Sequence, residues 1–241
     1  MRNFIFIIYC TVITNLILIS EALSYTQKCD FKQNICNTLD KVVGIKTPMM
    51  IASGTIIDDN IIVTNRHVVE DHLQFIIKFN NGEIKKAFPL PHNFPTDLAL
   101  LSLKQEPQNL KKLPKSKKIK GKIRVIAFDQ GRNANRIYNT GKIISSSDFK
   151  KFPQARIHTN AKSLPGNSGG SVVDENGELI GILASGDGNI NEVIPVSLIN
   201  KIIENTDLKH KNIFFKLGNY IKKCADNLEV AFNVQKNLDV N

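Results

Sequence analysis

Between residues 41 and 196 the apolar side chains come in short runs, and nearly every run ends at a polar or glycine-containing turn. Runs of roughly four to eight residues rich in Ile, Val, Leu and Phe have the length and composition of strands and are too short for core helices. The first set covers 41–46, 49–57, 60–65, 74–79, 83–88 and 98–103; the second covers 122–128, 137–145, 155–159, 171–173, 178–184 and 191–196. Asp58-Asp59, Asn80-Asn81-Gly82 and the loop 89–95 punctuate the first set, and Asn176-Gly177 is the clearest hairpin signal in the second. Two sets of six with a polar, proline-containing stretch between them predict an all-β chain of two six-stranded antiparallel β-barrels. Barrel 1 spans about 41–104, a basic linker 105–120, and barrel 2 about 121–205. The pattern then changes: 196–205 is apolar at helical spacing, and apolar residues recur at three and four again from Ile213 to Ala231, so C-terminal helices are expected, the last within a tail over 206–241.

The start of the chain is different again. Arg2, an apolar run from Phe4 to Ile19 and Ala22-Leu23-Ser24 read as a signal peptide over 1–24, with Tyr25 as the mature N-terminus and 25–40 as an N-terminal segment. The other use of such a run is an uncleaved anchor, but it is short of the roughly 20 apolar residues that span a bilayer. The expectation is a secreted or periplasmic protein with no transmembrane span after signal removal. Cys29, Cys36 and Cys224 remain beyond the leader, an odd number for an oxidising compartment. Cys29 and Cys36 could close a small loop, and Cys224 could replace either partner or stay free. No Cys/His spacing suggests zinc, and no metal or cofactor is expected.

The net charge of +10 is concentrated: residues 104–124 hold nine basic side chains against Glu106. A solvated linker is the plain reading of this stretch, and a surface for anionic partners the sharper one. No aromatic residue interrupts it, which argues against nucleic acid.

One loop carries chemistry. Leu164-Pro165-Gly166-Asn167-Ser168-Gly169-Gly170-Ser171 surrounds a serine with glycines. Such a loop can turn tightly, push a hydroxyl outward and aim backbone N–H groups at one point, as a serine nucleophile with an oxyanion hole requires. A serine hydroxyl needs a base, and the base an orienting carboxylate. His67 stands where the apolar run Ile62-Val63-Thr64 enters a short turn; His72, His92 and His210 lie in polar connections and read as surface residues, and His158 lies on a strand before the loop. Asp97 opens the run Leu98-Ala99-Leu100-Leu101, where a buried carboxylate wants a partner. Asp58, Asp59, Asp71 and Asp174 sit in turn-like clusters.

Ser53-Gly54-Thr55-Ile56-Ile57, Thr64-Asn65-Arg66-His67-Val68-Val69, Thr96-Asp97-Leu98-Ala99-Leu100-Leu101 and Pro165-Gly166-Asn167-Ser168-Gly169-Gly170 resemble, in order, the blocks of trypsin-like serine proteases, and most closely the HtrA/Deg branch. The order His, Asp, Ser is that of the chymotrypsin fold. The resemblance covers roughly 41–205. It implies an exported serine endopeptidase acting on protein or peptide substrates through an acyl-enzyme. His67 would be base then acid, Asp97 would hold its tautomer, Ser168 would be the nucleophile, and the N–H groups of Gly166 and Ser168 the oxyanion hole. Ala184, Ser185 and Gly186 would pair with substrate backbone, and Lys162, Ser163 and Leu164 would border the pocket for the residue before the scissile bond.

The resemblance also marks departures. HtrA/Deg proteins usually carry a PDZ domain after the protease, and from the short remainder after residue 200 none is expected here. Ser171 stands where proline is usual and Lys162 where a small residue is usual, both bearing on substrate preference. Leu164, Leu183 and Ala184 predict a pocket for small or medium apolar side chains, whereas Glu192, if it points inward, would favour Lys or Arg. Digestive-type relatives mature when a new N-terminus pairs with an Asp before the nucleophile; Asn167 has no such charge. Two other functions fit the same blocks: a catalytically idle homologue using its basic surface for binding, and a protease with an added chaperone-like role.

Overall fold

The computed structural model describes residues 29–70, 72–90, 92, 94–104, 113–146, 156–186, 189–204 and 206. The signal-peptide reading, the linker residues 105–112 and the amphipathic helix expected after Ile213 lie outside these residues. The chain divides into two units, Met1–Phe31 and Lys32–Asn241. In the first, Cys29 is disulfide-bonded; in the second, Cys36 is. Everything below concerns the second unit.

It begins with a four-residue helix, α1 (Gln33–Cys36), and a 3-10 turn (Asn37–Lys41). Six strands follow: β1 (Val42–Lys46), β2 (Ile51–Asp58), β3 (Ile61–Thr64), β4 (Phe75–Lys78), β5 (Ile84–Leu90) and β6 (Ala99–Leu103), with the one-turn helix α2 (Arg66–Val69) after β3. They pair antiparallel in the order β1-β2-β3-β6-β5-β4, and β4 returns to β1 to close the first barrel. The second set is β7 (Lys122–Asp129), β8 (Ala134–Ile137), β9 (Gly141–Ser146), β10 (Ile157–Thr159), β11 (Ser171–Asp174), β12 (Leu179–Gly186) and β13 (Asn191–Pro195). The order β11-β12-β13-β10-β9-β7 closes through a β11–β7 pairing into a second six-stranded barrel, with β8 folded onto β7 as an arm. The helix α3 (Val196–Glu204) then packs back on β12 and β13. The two-barrel expectation holds, with one strand more than the sequence pattern predicts.

The strands obey elementary alternation where one face meets solvent: β4 and β10 bury every second residue. Strands between two packed layers, such as β3 and most of β2, are buried throughout. Each barrel has its own apolar filling, around Ile45, Ile62, Phe75 and Leu101 in the first and Val125, Ile157, Val172 and Ile180 in the second. A further cluster spans both: Ile61, Val63, Leu98 and Leu100 from the first meet Leu179, Ile182 and Ile194 from the second, with Leu198, Ile199 and Ile202 of α3. The basic stretch is only partly a linker. Leu113 is buried in that shared cluster, Ser116 donates to Asp174, and Lys122 to Arg124 already belong to β7.

Candidate active site

His67 lies in α2, immediately after β3, and the sequence around it explains its placement. Thr64 is fully buried and its hydroxyl donates to the Ser53 carbonyl across the barrel at 2.8 Å. Asn65, also fully buried, donates through Nδ2 to the Asp97 carbonyl at 3.0 Å, and the Arg66 guanidinium donates to the Phe94 carbonyl at 2.7 Å. Asn65 and Arg66 thus tie the start of α2 to the loop before β6, and that loop delivers Asp97. The Asp97 carboxylate receives the His67 backbone N–H at 3.2 Å and the ring Nδ1–H at 3.0 Å to Oδ2 and 3.2 Å to Oδ1. With Nδ1 carrying the proton toward a carboxylate, Nε2 is left as the ring's acceptor. The hydrogen bond His67 donates to Asp97 holds the His67 pKa above the ordinary 6.5, partly offset by burial, with the negative charges of Asp97 and, last, Glu70 adding to the rise.

Ser168 lies on the loop between β10 and β11. Leu164 accepts from the Asn167 N–H at 3.0 Å, with Pro165 and Gly166 between them and Gly166 at φ 91°. That is a type II turn, which asks for proline second and glycine third. Glycine is required here twice over, because a Cβ at Gly166 would lie 2.4 Å from the Gln130 side chain. Gly169, at φ 87°, approaches β2 so closely that a Cβ would sit 1.9 Å from the Ser53 carbonyl oxygen. The first barrel grips the loop through β2: Ser53 N–H donates to the Ser168 carbonyl, Ser53 Oγ to the Gly166 carbonyl, both at 2.8 Å, and Thr55 Oγ1 to the Gly169 carbonyl at 3.1 Å. Asn167 is fully buried. Its Oδ1 accepts from the Leu164 N–H at 2.7 Å, and its Nδ2 donates to the Phe128 carbonyl and to the Tyr138 hydroxyl, each at 3.0 Å. Among the described residues, neither the Gly166 N–H nor the Ser168 N–H has an acceptor.

The Ser168 hydroxyl donates to the Ala184 carbonyl at 3.0 Å, and no hydrogen bond joins it to His67 among the described residues. Ala184 is buried, whereas Ser185 and Gly186, the next residues of β12, are exposed. Lys162 is exposed, Leu164 is 40% exposed, and Ser163 donates to Asn191 Oδ1 at 2.6 Å.

Several sequence expectations change. Asn191 and Glu192 are neighbours on a strand and so face opposite ways. Asn191 is fully buried on the side of Ser163, and its Nδ2 donates to the Ala161 carbonyl at 2.7 Å. Glu192 takes the other side, receiving the Ser185 hydroxyl at 3.3 Å and lying 3.8 Å from His158 Nε2 and 3.9 Å from Arg156 Nε. Glu192 therefore does not share the side of Ser163, and His158 is engaged with Ser145 and Glu192. Ser171 is buried with its hydroxyl 2.8 Å from that of Thr55, so this departure joins the two barrels. His92 is not a surface residue: it is 9% exposed and its Nε2 donates to the Leu98 carbonyl at 2.9 Å. The sequence gives no sign that Tyr138 and Ser53 support the loop, because their partners lie 29 and 113 positions away; Ser53 stands in a recognisable block, but nothing local states its role.

Two closed antiparallel six-stranded barrels, with His67 and Asp97 on the first and Ser168 on the second, define the chymotrypsin-like class of fold. The trypsin-like peptidase domain family matches residues 52–182, and the chain belongs to that family. It is similar to the serine endoprotease DegS of Escherichia coli K12, 30% identical over 173 residues that cover 64% of this chain and 47% of the relative. A probable periplasmic DegP-like serine endoprotease of Chlamydia pneumoniae is 30% identical over 159 residues, 61% of this chain and 32% of the relative. Among solved structures, the serine endoprotease from Yersinia pestis superposes with a TM-score of 0.62 at 26% identity, covering 73% of this chain and 66% of that one. The HtrA-type protease AlgW with a tripeptide gives 0.61 at 25%, covering 71% and 61%. The chain spans about half the length of the DegS relatives it matches.

Proposed function

We propose that the chain is a serine endopeptidase using Ser168 as nucleophile, His67 as base then acid and Asp97 as the group that orients the imidazole. The observation that best supports this is the His67–Asp97 pair, with Nδ1 bound at 3.0 Å and Nε2 left as acceptor; the Ser168 loop adds two backbone N–H groups without acceptors among the described residues. In the reaction the Ser168 oxygen attacks the peptide carbonyl as its proton passes to His67 Nε2. The carbonyl oxygen, now negative, is received by the N–H groups of Gly166 and Ser168. The C–N bond breaks, the amine leaves with the proton from His67, and water repeats the sequence on the acyl-enzyme. Ser168 must first leave the Ala184 carbonyl, a rotation about one side-chain bond. A substrate N–H taking that carbonyl in place of the hydroxyl would favour the rotation.

Lys162, Ser163, Leu164, Ala184, Ser185 and Gly186 would hold the substrate. On this side stands the Asn191 amide, bonded to Ser163 and Ala161, and not the Glu192 carboxylate, which supports small or medium apolar residues before the cut. The leader-like start and the periplasmic DegP-like relative support an exported location, secreted or periplasmic; among the described residues no helix is long and apolar enough to cross a membrane. The hydroxyl held by Ala184 favours the second reading, an idle homologue. One experiment separates the two. A fluorophosphonate probe should label the folded protein and fail on Ser168→Ala; a folded, unlabelled wild type would sink the protease reading.

A further inference from the structure

We infer that Tyr138 is a positioning residue for the nucleophile loop, acting through the Asn167 side chain; the inference rests on the reading of Ser168 as nucleophile. Tyr138 follows β8 and is 2% exposed, its ring packed into the filling of barrel 2. Packing alone would be served by phenylalanine. The hydroxyl is used, however: it accepts one of the two Nδ2 hydrogens of Asn167 at 3.0 Å. The other goes to the Phe128 carbonyl, and Oδ1 accepts from Leu164 N–H. Tyr138 is the only side chain among these three partners.

Asn167 sits between the two residues whose N–H groups lack acceptors, Gly166 and Ser168. The Ser168 N–H lies in the peptide plane that Asn167 begins, and the Gly166 N–H lies inside the Leu164–Asn167 turn that the Asn167 backbone N–H and Oδ1 close, so a three-point grip on the Asn167 amide holds both. Remove the phenol oxygen and a buried N–H is stranded, which the amide can relieve only by turning. The tyrosine is itself braced. The Arg136 guanidinium lies 5.0 Å from the ring centroid and bonds Asp129 at 3.0 Å, and Asp129 also accepts from the Gly131 and Arg132 N–H groups of the β7–β8 turn. The chain Asp129–Arg136–Tyr138–Asn167 thus runs from the hairpin tip to the residue before the nucleophile.

The test is fluorophosphonate labelling resolved into KI and kinact, with thermal unfolding measured alongside. Tyr138→Phe should lower kinact about tenfold, the size of one hydrogen bond lost in the transition state, and leave KI within about twofold. Tyr138→Met, which fills the space by a flexible side chain without a strong acceptor, should do the same and stands in if the phenylalanine variant does not fold. Ile202→Val, distant on α3, should lower Tm and leave kinact alone. If both Tyr138 variants label at the wild-type rate, or lose only KI, or are matched by Ile202→Val, the positioning role is overturned and the protease reading survives. An inert, folded wild type overturns that reading and this inference with it.

Discussion

The His67 ring is tied at Nδ1 and open at Nε2, and that asymmetry has a pH signature. The hydrogen bond it donates to Asp97 raises its pKa above 6.5. Below the raised value the imidazole is protonated and cannot take the Ser168 proton; above it the neutral base is available. The acidic limb of kcat/KM, or of fluorophosphonate labelling, should therefore have its midpoint above 6.5. Asp97→Asn removes the cause, so the limb should move to lower pH while the rate falls about ten-thousandfold through the wrong tautomer; an unmoved limb would show that another group titrates. At this scale the identities of His67, Asp97 and Ser168 were legible because each lies in a contiguous block. The side taken by Glu192 was not, since strand alternation says only that it opposes Asn191, and which of the two meets Ser163 depends on a partner 28 positions away. The roles of Ser171 and His92 were hidden likewise by partners that only folding brings near.

Among the elements, β2 does more than close a barrel. Ser53 Oγ donates to the Gly166 carbonyl at 2.8 Å and accepts the Phe128 N–H at 2.9 Å, linking β2, β7 and the Ser168 loop. Ser53→Ala strands the buried Phe128 N–H and removes a donor from the Gly166 carbonyl, so it should cost about 1–3 kcal/mol in denaturant unfolding and slow labelling of Ser168. Gly169→Ala should do worse: a Cβ 1.9 Å from the Ser53 carbonyl, at a positive φ, forces the loop off β2, and the protein should show neither labelling nor a normal unfolding transition. The strand pattern was readable for twelve of these elements because apolar runs and turn residues are local signals. The arm β8, Ala134–Ile137, was missed because only Asn135 of its four residues is buried, so it carries no apolar run. Its turn did leave a mark, Gly131 followed by Asn133 at φ 52°.

For the whole molecule, the shared apolar cluster makes two barrels into one cooperative body. His67 and Asp97 belong to one barrel and Ser168 to the other, so the same contacts that stabilise the fold also set their register. Leu198→Ala, at the centre of that cluster, should lower stability by about 3 kcal/mol and still give a single transition in calorimetry; two resolved transitions would show that the barrels unfold independently. Asn167 has a consequence of another kind, one of timing. A loop set by a neutral amide bonded to Leu164, Phe128 and Tyr138 should need no cut to become ordered. The protein should be competent from the moment it folds, so restraint has to come from where it is sent or from what occupies its cleft. A protein beginning at Tyr25 and carrying an additional N-terminal tag should accordingly label at Ser168 without trimming; if it stays inert until cleaved between residues 25 and 41, competence is conferred later, by a chain end.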